Sequence, residues 1–183
     1  MLRSFASWLD PQPASLILDV GCGPGLLSAI FAQSGCRIFG IDSSFEMFRD
    51  ALHPDLILAN ALALPLPPAT FNLITASNLL FLLPDPPFAL KEMTRLLAPA
   101  GEIALLNPSE KMSLAAAKQL ADTRGLEGLA RETLLNYAAR SEHHHRWSED
   151  DLRELFASAN LTLVDTSTKM GEGLIRFVRA VLN

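Results

Sequence analysis

"SLILDVGCGPGLLSAIFAQSG", residues 15–35, decides how the rest of the chain is read. "SLILDV" (15–20) is a continuous apolar run entering a glycine turn, the pattern of a strand buried on both faces. Gly21, Gly23 and Gly25 let the backbone turn sharply and come close to a ligand. Behind them Leu26, Leu27, Ile30 and Phe31 share one helical face, and Gly35 stops the helix. A helix that starts there presents unpaired N–H groups and a partial positive charge, which suits an anion. Asp19 argues against a plain phosphate site. The dinucleotide fingerprint G-x-G-x-x-G would need glycine where Leu26 stands, whereas the spacing here is G-x-G-x-G. A carboxylate beside the loop repels a pyrophosphate and attracts an ammonium group.

Outward from this stretch, strands and helices alternate. "CRIFGID" (36–42) is the second strand, ending at Asp42. Ser43 and Glu46 then read as an S-x-x-E capping box opening the helix "SFEMFRDAL". "LILA" (56–59), "FNLITA" (71–76) and "GEIALLN" are the third to fifth strands, and the Pro-rich "LALPLPPAT" stands where a crossover helix would be expected. Asp85 before Pro86 starts the helix "PFALKEMTRLL", since proline loses nothing in a first turn. The order predicts an α/β, Rossmann-like doubly wound sheet, mostly parallel, with right-handed crossovers. "WSEDDLRELFASAN" is a helix with Ser148 and Asp151 as capping pair and Trp147 stapled onto Leu152. "LTLVDTST" and "GLIRFVRAVL", close together around "KMGEG", predict an antiparallel C-terminal hairpin at one sheet edge. Residues 108–147 interrupt the rhythm with two helical pieces separated by Gly125. They leave from the carboxyl end of strand five, the edge where open α/β sheets bind ligands. They are expected to form a helical cap within a single domain spanning 1–183. Leu2, Phe5, Trp8 and Leu9 form an apolar stripe expected to pack on the helices of the sheet.

Composition narrows the function classes. Hydrophobic residues make up 49% and charged residues 19%, as in a folded protein. A net charge of −5 gives no long-range attraction to nucleic acid or anionic lipid. No apolar run reaches the roughly 18–20 residues of a membrane span. "MLRSFASWLDPQP" has one Arg and no long apolar core, so no secretory signal is expected. Two cysteines, Cys22 and Cys36, make no disulfide framework, and reduced thiols in a cytoplasm are the expectation. Nothing in the sequence supports an oligomer.

Asp42 at the end of the second strand can accept two hydroxyl hydrogen bonds from a ribose, as in dinucleotide sites. The implied ligand therefore has a ribose, an adenine and a charged amino-acid end, and S-adenosyl-L-methionine has all three. "ILDVGCGPG", "GID", "NALALPLPPATFNLITA" and "LLPDPPFALKEMTRLLAPAGEIALLNPS" together resemble the class I S-adenosylmethionine-dependent methyltransferases. The likeness is greatest to the small-molecule group that includes the ubiquinone and menaquinone biosynthesis enzymes. It covers roughly residues 14–108, and "RWSEDDLRELFASANLTLV" extends it weakly.

The resemblance implies methyl transfer to a small-molecule acceptor by direct in-line displacement at the sulfonium methyl, with S-adenosyl-L-homocysteine as product. It places Asp19 and the loop Gly21, Cys22, Gly23 and Gly25 against the methionine portion, and Asp42 on the ribose hydroxyls. Ser43 touches the adenine side by its backbone. Asn60, with Ala61, occupies the position where relatives usually have Asp-Ala and accepts from the adenine amino group. Ser77 and Asn78 lie beside the methionine and sulfonium. Relatives often carry a His pair near "LLFLL", where this chain has Phe81 and Leu82. Two other readings stay open: a non-enzymatic S-adenosylmethionine-binding protein, and an NAD(P)-dependent oxidoreductase, which Leu26 and Asp19 disfavour.

"EHHHRW" invites a metal site, but adjacent histidines point in different directions and no partner with ligand spacing accompanies them. A solvated loop is the better reading. His143, His144 and His145 are also the sequence's candidates for a substrate-facing base. Cys22 is read as a backbone contact rather than a reactive thiol, and Tyr137 as packing unless it faces a pocket.

Overall fold

The computed structural model describes residues 1–183. Helix α1 (Leu2–Leu9) precedes strand β1 (Leu16–Val20), which leads through the glycine loop into α2 (Leu26–Gln33). Strands β2 (Arg37–Asp42), β3 (Leu56–Leu58) and β4 (Phe71–Ser77) follow, then α3 (Pro86–Leu96) and β5 (Leu97–Pro108). The insertion is α4 (Leu114–Thr123) and α5 (Gly128–Glu142), and the chain closes with α6 (Glu149–Ser158), β6 (Leu161–Lys169) and β7 (Ile175–Leu182).

The seven strands form one sheet in the order β3-β2-β1-β4-β5-β7-β6. Strands β1 to β5 are parallel, and β7 runs antiparallel to both β5 and β6. The doubly wound, mostly parallel sheet with its C-terminal hairpin is as expected. The chain travels outward from β1 to β3 and then returns to β4 on the other side. The carboxyl ends of β1 and β4 therefore bracket the switch point where such sheets hold ligands.

Alternation along the strands feeds two cores. Leu18, Val20, Ile74, Ile103 and Leu105 face α3 and α6 in one cluster. Ile17, Leu73, Ala104 and Leu106 join Phe5, Phe31, Leu134 and Ala138 in the other. The N-terminal stripe packs against α2, as expected, with Phe5 and Leu9 clustered with Leu27 and Phe31, and it also reaches β7: the Phe5 and Phe177 rings lie 5.0 Å apart, and Trp8 sits 5.7 Å from Phe177. The Asp85 carboxylate accepts from the Phe88 N–H at 3.0 Å, with Pro86 as first helical residue. Ser148 and Asp151 form the reciprocal capping box, and Trp147 and Leu152 are buried in one cluster.

One predicted helix is absent. "SFEMFRDAL" forms only a 3-10 turn, Phe45–Phe48, and the Ser43–Glu46 box does not form. Asp42 Oδ1 instead accepts the Ser44 N–H at 2.9 Å, turning the chain with a local side-chain bond. Phe45, Met47 and Leu52 remain exposed, so this segment has no core to pack a helix against. The Pro-rich loop after β3 is held by α3. Arg95 donates to the carbonyls of Leu66 and Leu64 at 3.0 and 2.9 Å, and Glu92 accepts the Leu64 N–H at 3.3 Å. These bonds do the positioning a crossover helix would have done. At the root of the insertion, buried Arg176 donates to both oxygens of Glu110 at 3.0 Å and lies 3.5 Å from Glu149. No helix is long and apolar enough to cross a membrane.

Candidate functional site

The glycine loop is tied together by its own main chain. Gly21 and Cys22 both donate to the Ile41 carbonyl, at 2.7 and 2.9 Å, and Gly25 donates to the Cys22 carbonyl at 3.0 Å. The Gly23 N–H goes to Asp42 Oδ2 at 2.9 Å. Pro24 has no N–H. The expectation that the loop amides face a ligand is thereby corrected, because their hydrogen bonds hold the loop onto β2. The free donors are one step further on, in the first turn of α2 at Leu26, Leu27 and Ser28, where a helix leaves its N–H groups unpartnered. Gly21, Gly23 and Gly25 all have positive φ, 71°, 54° and 82°, which is what the tight path requires. Gly21 has a second role. A Cβ on it would lie 2.8 Å from the Leu79 side chain, so its absence lets Leu79 rest on the loop.

Asp42 is the polar centre of a narrow cleft at the switch point. Each of its oxygens accepts one backbone N–H, from Gly23 and from Ser44, and each keeps a further lone pair. Gly21, Asp42, Ser43, Asn60 and Ala61, expected from sequence to act together, all line this cleft. Its apolar walls are Val20, Ile41, Leu79 and Leu83, and its volume is about 50 Å3. Asn60 Oδ1 accepts the Leu62 N–H at 2.9 Å, which fixes the amide as a turn.

Asp19 is not on the cleft wall. Its carboxyl is fully buried beneath the loop, accepting from Thr75 Oγ1 at 2.8 Å and, more weakly, from Ser28 Oγ at 3.5 Å. Burial pushes its pKa from 3.8 up to about 7; the two hydroxyls pull it back, and the Asp42 charge adds to the rise. Cys22 Sγ lies against the loop, 3.5 Å from the Gly23 carbonyl. Burial, with Asp19 and Asp42 nearby, pushes the thiol up to about 12, so it stays protonated and unreactive.

Ser77 lies half-buried at the end of β4 and lines neither the cleft nor the cavity behind it. Asn78 turns away from the cleft into that cavity, of about 310 Å3, which is lined by α4, α5, the β6–β7 turn and Met1. Its φ is 57°, a left-handed conformation that aims the side chain away from the strand direction. Tyr137 on α5 donates its hydroxyl proton to Asn78 Oδ1 at 2.6 Å, and its ring meets Phe81 edge-on at 6.3 Å. Burial pushes the Tyr137 hydroxyl far above its usual range, so it remains a donor. The sequence makes Tyr137 a packing residue unless it faces a pocket, and it does line this cavity; its place on an insertion helix says nothing of which strand end it meets.

The three histidines do not converge. His143 caps α5, His144 stands edge-on to Phe81 at 5.6 Å, and His145 leans on Trp147 with Nε2 3.9 Å from Asp151. All three are exposed, and none lines the cleft or the cavity.

Comparison with known proteins adds to this geometry. A family model described as "Methyltransferase domain" matches residues 2–166. A demethylmenaquinone methyltransferase of Corynebacterium urealyticum is 35% identical over 99 residues, covering 53% of this chain and 43% of that protein. A ubiquinone biosynthesis O-methyltransferase of Idiomarina loihiensis is 30% identical over 142 residues, covering 71% of this chain and 54% of the other. The matched stretch thus spans about half the length of these relatives. Among solved structures, magnesium protoporphyrin IX methyltransferase of Synechocystis with bound SAH superposes with a TM-score of 0.72 at 17% identity. That superposition covers 100% of this chain and 82% of that one, a likeness of fold.

Proposed function

The chain belongs to the methyltransferase-domain family, and from that membership we propose that it binds S-adenosyl-L-methionine in the cleft beside Asp42 and transfers the methyl group to a small-molecule acceptor. The observation that carries the reading is the Asp42 carboxylate, oriented by two backbone N–H groups and lining the cleft at the β1–β4 switch point with lone pairs to spare.

The residues fit the ligand. Asp42 accepts from the two ribose hydroxyls. The Asn60 oxygen keeps a lone pair for the adenine amino group after accepting from Leu62. The first-turn amides of α2 suit the methionine carboxylate. Asp19 acts on the ammonium by its field from below the loop rather than by contact. Entry of an adenosyl group requires the Leu79 side chain to swing off Gly21, a rotation about side-chain bonds that leaves the backbone in place.

When bound, S-adenosyl-L-methionine supplies a methyl already activated on a sulfonium, whose bonding pair returns to sulfur as an acceptor lone pair takes the carbon. The protein's part is orientation, which supplies roughly 7–11 kcal/mol of such a barrier. The ionisable side chains lining the adjoining cavity are Tyr137, which holds its proton, and Arg124. Neither side chain is a general base. Isothermal titration with S-adenosyl-L-homocysteine and with NADH tests the ligand: the first is expected to bind and the second not, and the reverse overturns the reading. Transfer of labelled methyl from S-adenosyl-L-methionine to a panel of phenols, carboxylic acids and amines separates an enzyme from a binding protein.

A further inference from the structure

The cleft and the cavity meet across one peptide bond. Leu79 lines the cleft and its neighbour Asn78 lines the cavity, so the two spaces approach one another at the end of β4. The cavity is built differently from the cleft. Its walls are Leu120, Leu126, Leu134 and Met170, and its volume of about 310 Å3 is in the range of small-molecule sites. Its polar groups stand apart. The Tyr137 hydroxyl and the Asn78 amide, bonded to one another, are half-buried, whereas Arg124, at the C-terminal end of α4, is exposed.

Arg124 is the charged side chain of this lining, which the Met1 terminus also reaches, and it makes no ion pair, whereas Arg131 on the neighbouring helix is neutralised by Asp122 at 2.7 Å. In a chain of net charge −5, an unpaired guanidinium beside an aliphatic cavity is complementary to an anion joined to an apolar body. We infer that this cavity receives the methyl acceptor and selects an apolar molecule bearing an anionic group, with that group at Arg124. The inference rests on the methyl-transfer reading above and adds the acceptor's class to it. The acceptor's other polar end meets the Tyr137 oxygen and the Asn78 amide nitrogen, the two groups their mutual hydrogen bond leaves available.

Octanoate and octan-1-ol, equal in chain length and differing in charge, are titrated calorimetrically into the full chain saturated with S-adenosyl-L-homocysteine. Octanoate is expected to bind at least tenfold more tightly than octan-1-ol, and Arg124→Gln to erase that difference while leaving octan-1-ol unchanged. Ala130→Trp, at an exposed position of the lining, is expected to abolish binding of both. Equal affinities in the unmodified chain, an octanoate preference that survives Arg124→Gln, or full binding in Ala130→Trp would each overturn the inference. Titration of S-adenosyl-L-homocysteine into the same preparations separates the failures. A lost preference with the nucleoside bound sinks the acceptor assignment alone, whereas no nucleoside binding sinks the methyl-transfer reading beneath it.

Discussion

Replacing Asp19 with Asn probes the least comfortable group in the protein. The carboxyl is fully buried, its pKa stands at about 7 instead of 3.8, and no cation is among the causes of that shift. A carboxyl raised in this way binds its proton more tightly folded than unfolded. Its favourable contribution is therefore complete below pH 3.8 and is lost as pH rises to about 7. At ~1.4 kcal/mol per pH unit, the gap between the two values corresponds to about 4 kcal/mol. Asn keeps an oxygen for Thr75 and does not titrate. Urea denaturation of both forms at pH 4.5, 6 and 8 reads the effect. Asp19→Asn is expected to be more stable than the unmodified chain at pH 8, by about 2–4 kcal/mol, with the gap closing towards pH 4.5.

The same substitution tests why such a group is there. An ammonium brought near Asp19 favours the ionised form, so ligand binding releases a proton wherever the free protein holds one. Affinity for S-adenosyl-L-homocysteine should then rise with pH up to about 7, by at most tenfold per unit, and level off above it. In Asp19→Asn the profile should be flat and the affinity at pH 8 lower. Calorimetry in two buffers of different ionisation heat counts the proton directly. An Asp19→Asn chain that is equally destabilised at every pH, or an unmodified chain with no proton release at pH 6, would refute the argument, since the carboxylate would then be ionised and satisfied without ligand.

Asp42→Ala removes the proposed ribose acceptor and the partner of the Gly23 and Ser44 amides, and should weaken S-adenosyl-L-homocysteine by about a hundredfold, two charge-assisted bonds being worth that or more; unchanged affinity by titration removes the assignment. Gly21→Ala places a Cβ 2.8 Å from Leu79 at a φ of 71° and should cost about 1–3 kcal/mol, read as a lower urea midpoint; an unaltered midpoint would show that Leu79 yields freely. Replacing His143, His144 and His145 together with Ala should leave nucleoside affinity within about twofold, because all three stand exposed and apart from the cleft; a larger loss would mean that the loop folds over the site when ligand binds.

The parts of this molecule that follow from local chemistry were legible in the sequence. A run such as "LILDV" has one stable environment, and Asp85-Pro86 and Ser148…Asp151 announce helix starts whose hydrogen bonds form within three residues. The cleft was legible in part for the same reason: Gly21 and Asp42 sit at strand ends that the βαβ order brings together, whereas Ser43 and Asn60 followed from the family resemblance. What escaped depends on partners far along the chain. The Ser43–Glu46 capping box is a sound local signal, but Asp42 turned the chain first and no apolar surface lay beneath the segment to reward a helix. Asp19 was read as facing a ligand, yet Thr75, 56 residues away, and Ser28 hold it inward. Tyr137 and Asn78, 59 residues apart, carry no pattern that links them.

The two halves of the candidate site differ in how readily they can change. On the proposed nucleoside side, the loop amides are engaged with main-chain carbonyls and with Asp42, and both Asp42 oxygens accept backbone N–H groups, so substitution of a side chain elsewhere leaves that geometry standing. On the cavity side, apart from Met1 and Asn78, the walls come from α4, α5 and the β6–β7 turn, outside the stretch of alternating strands and helices that forms the parallel sheet. One hydrogen bond, Tyr137 to Asn78, joins this wall to the end of β4. An insertion anchored in this way can alter its aliphatic lining or its rim charge without disturbing the loop, because cavity and cleft share a peptide bond and no side chain. The acceptor preference is therefore separable from nucleoside binding: Arg124→Gln should change the first and leave the second alone, and a variant that moved both together would show the two halves to be one coupled unit.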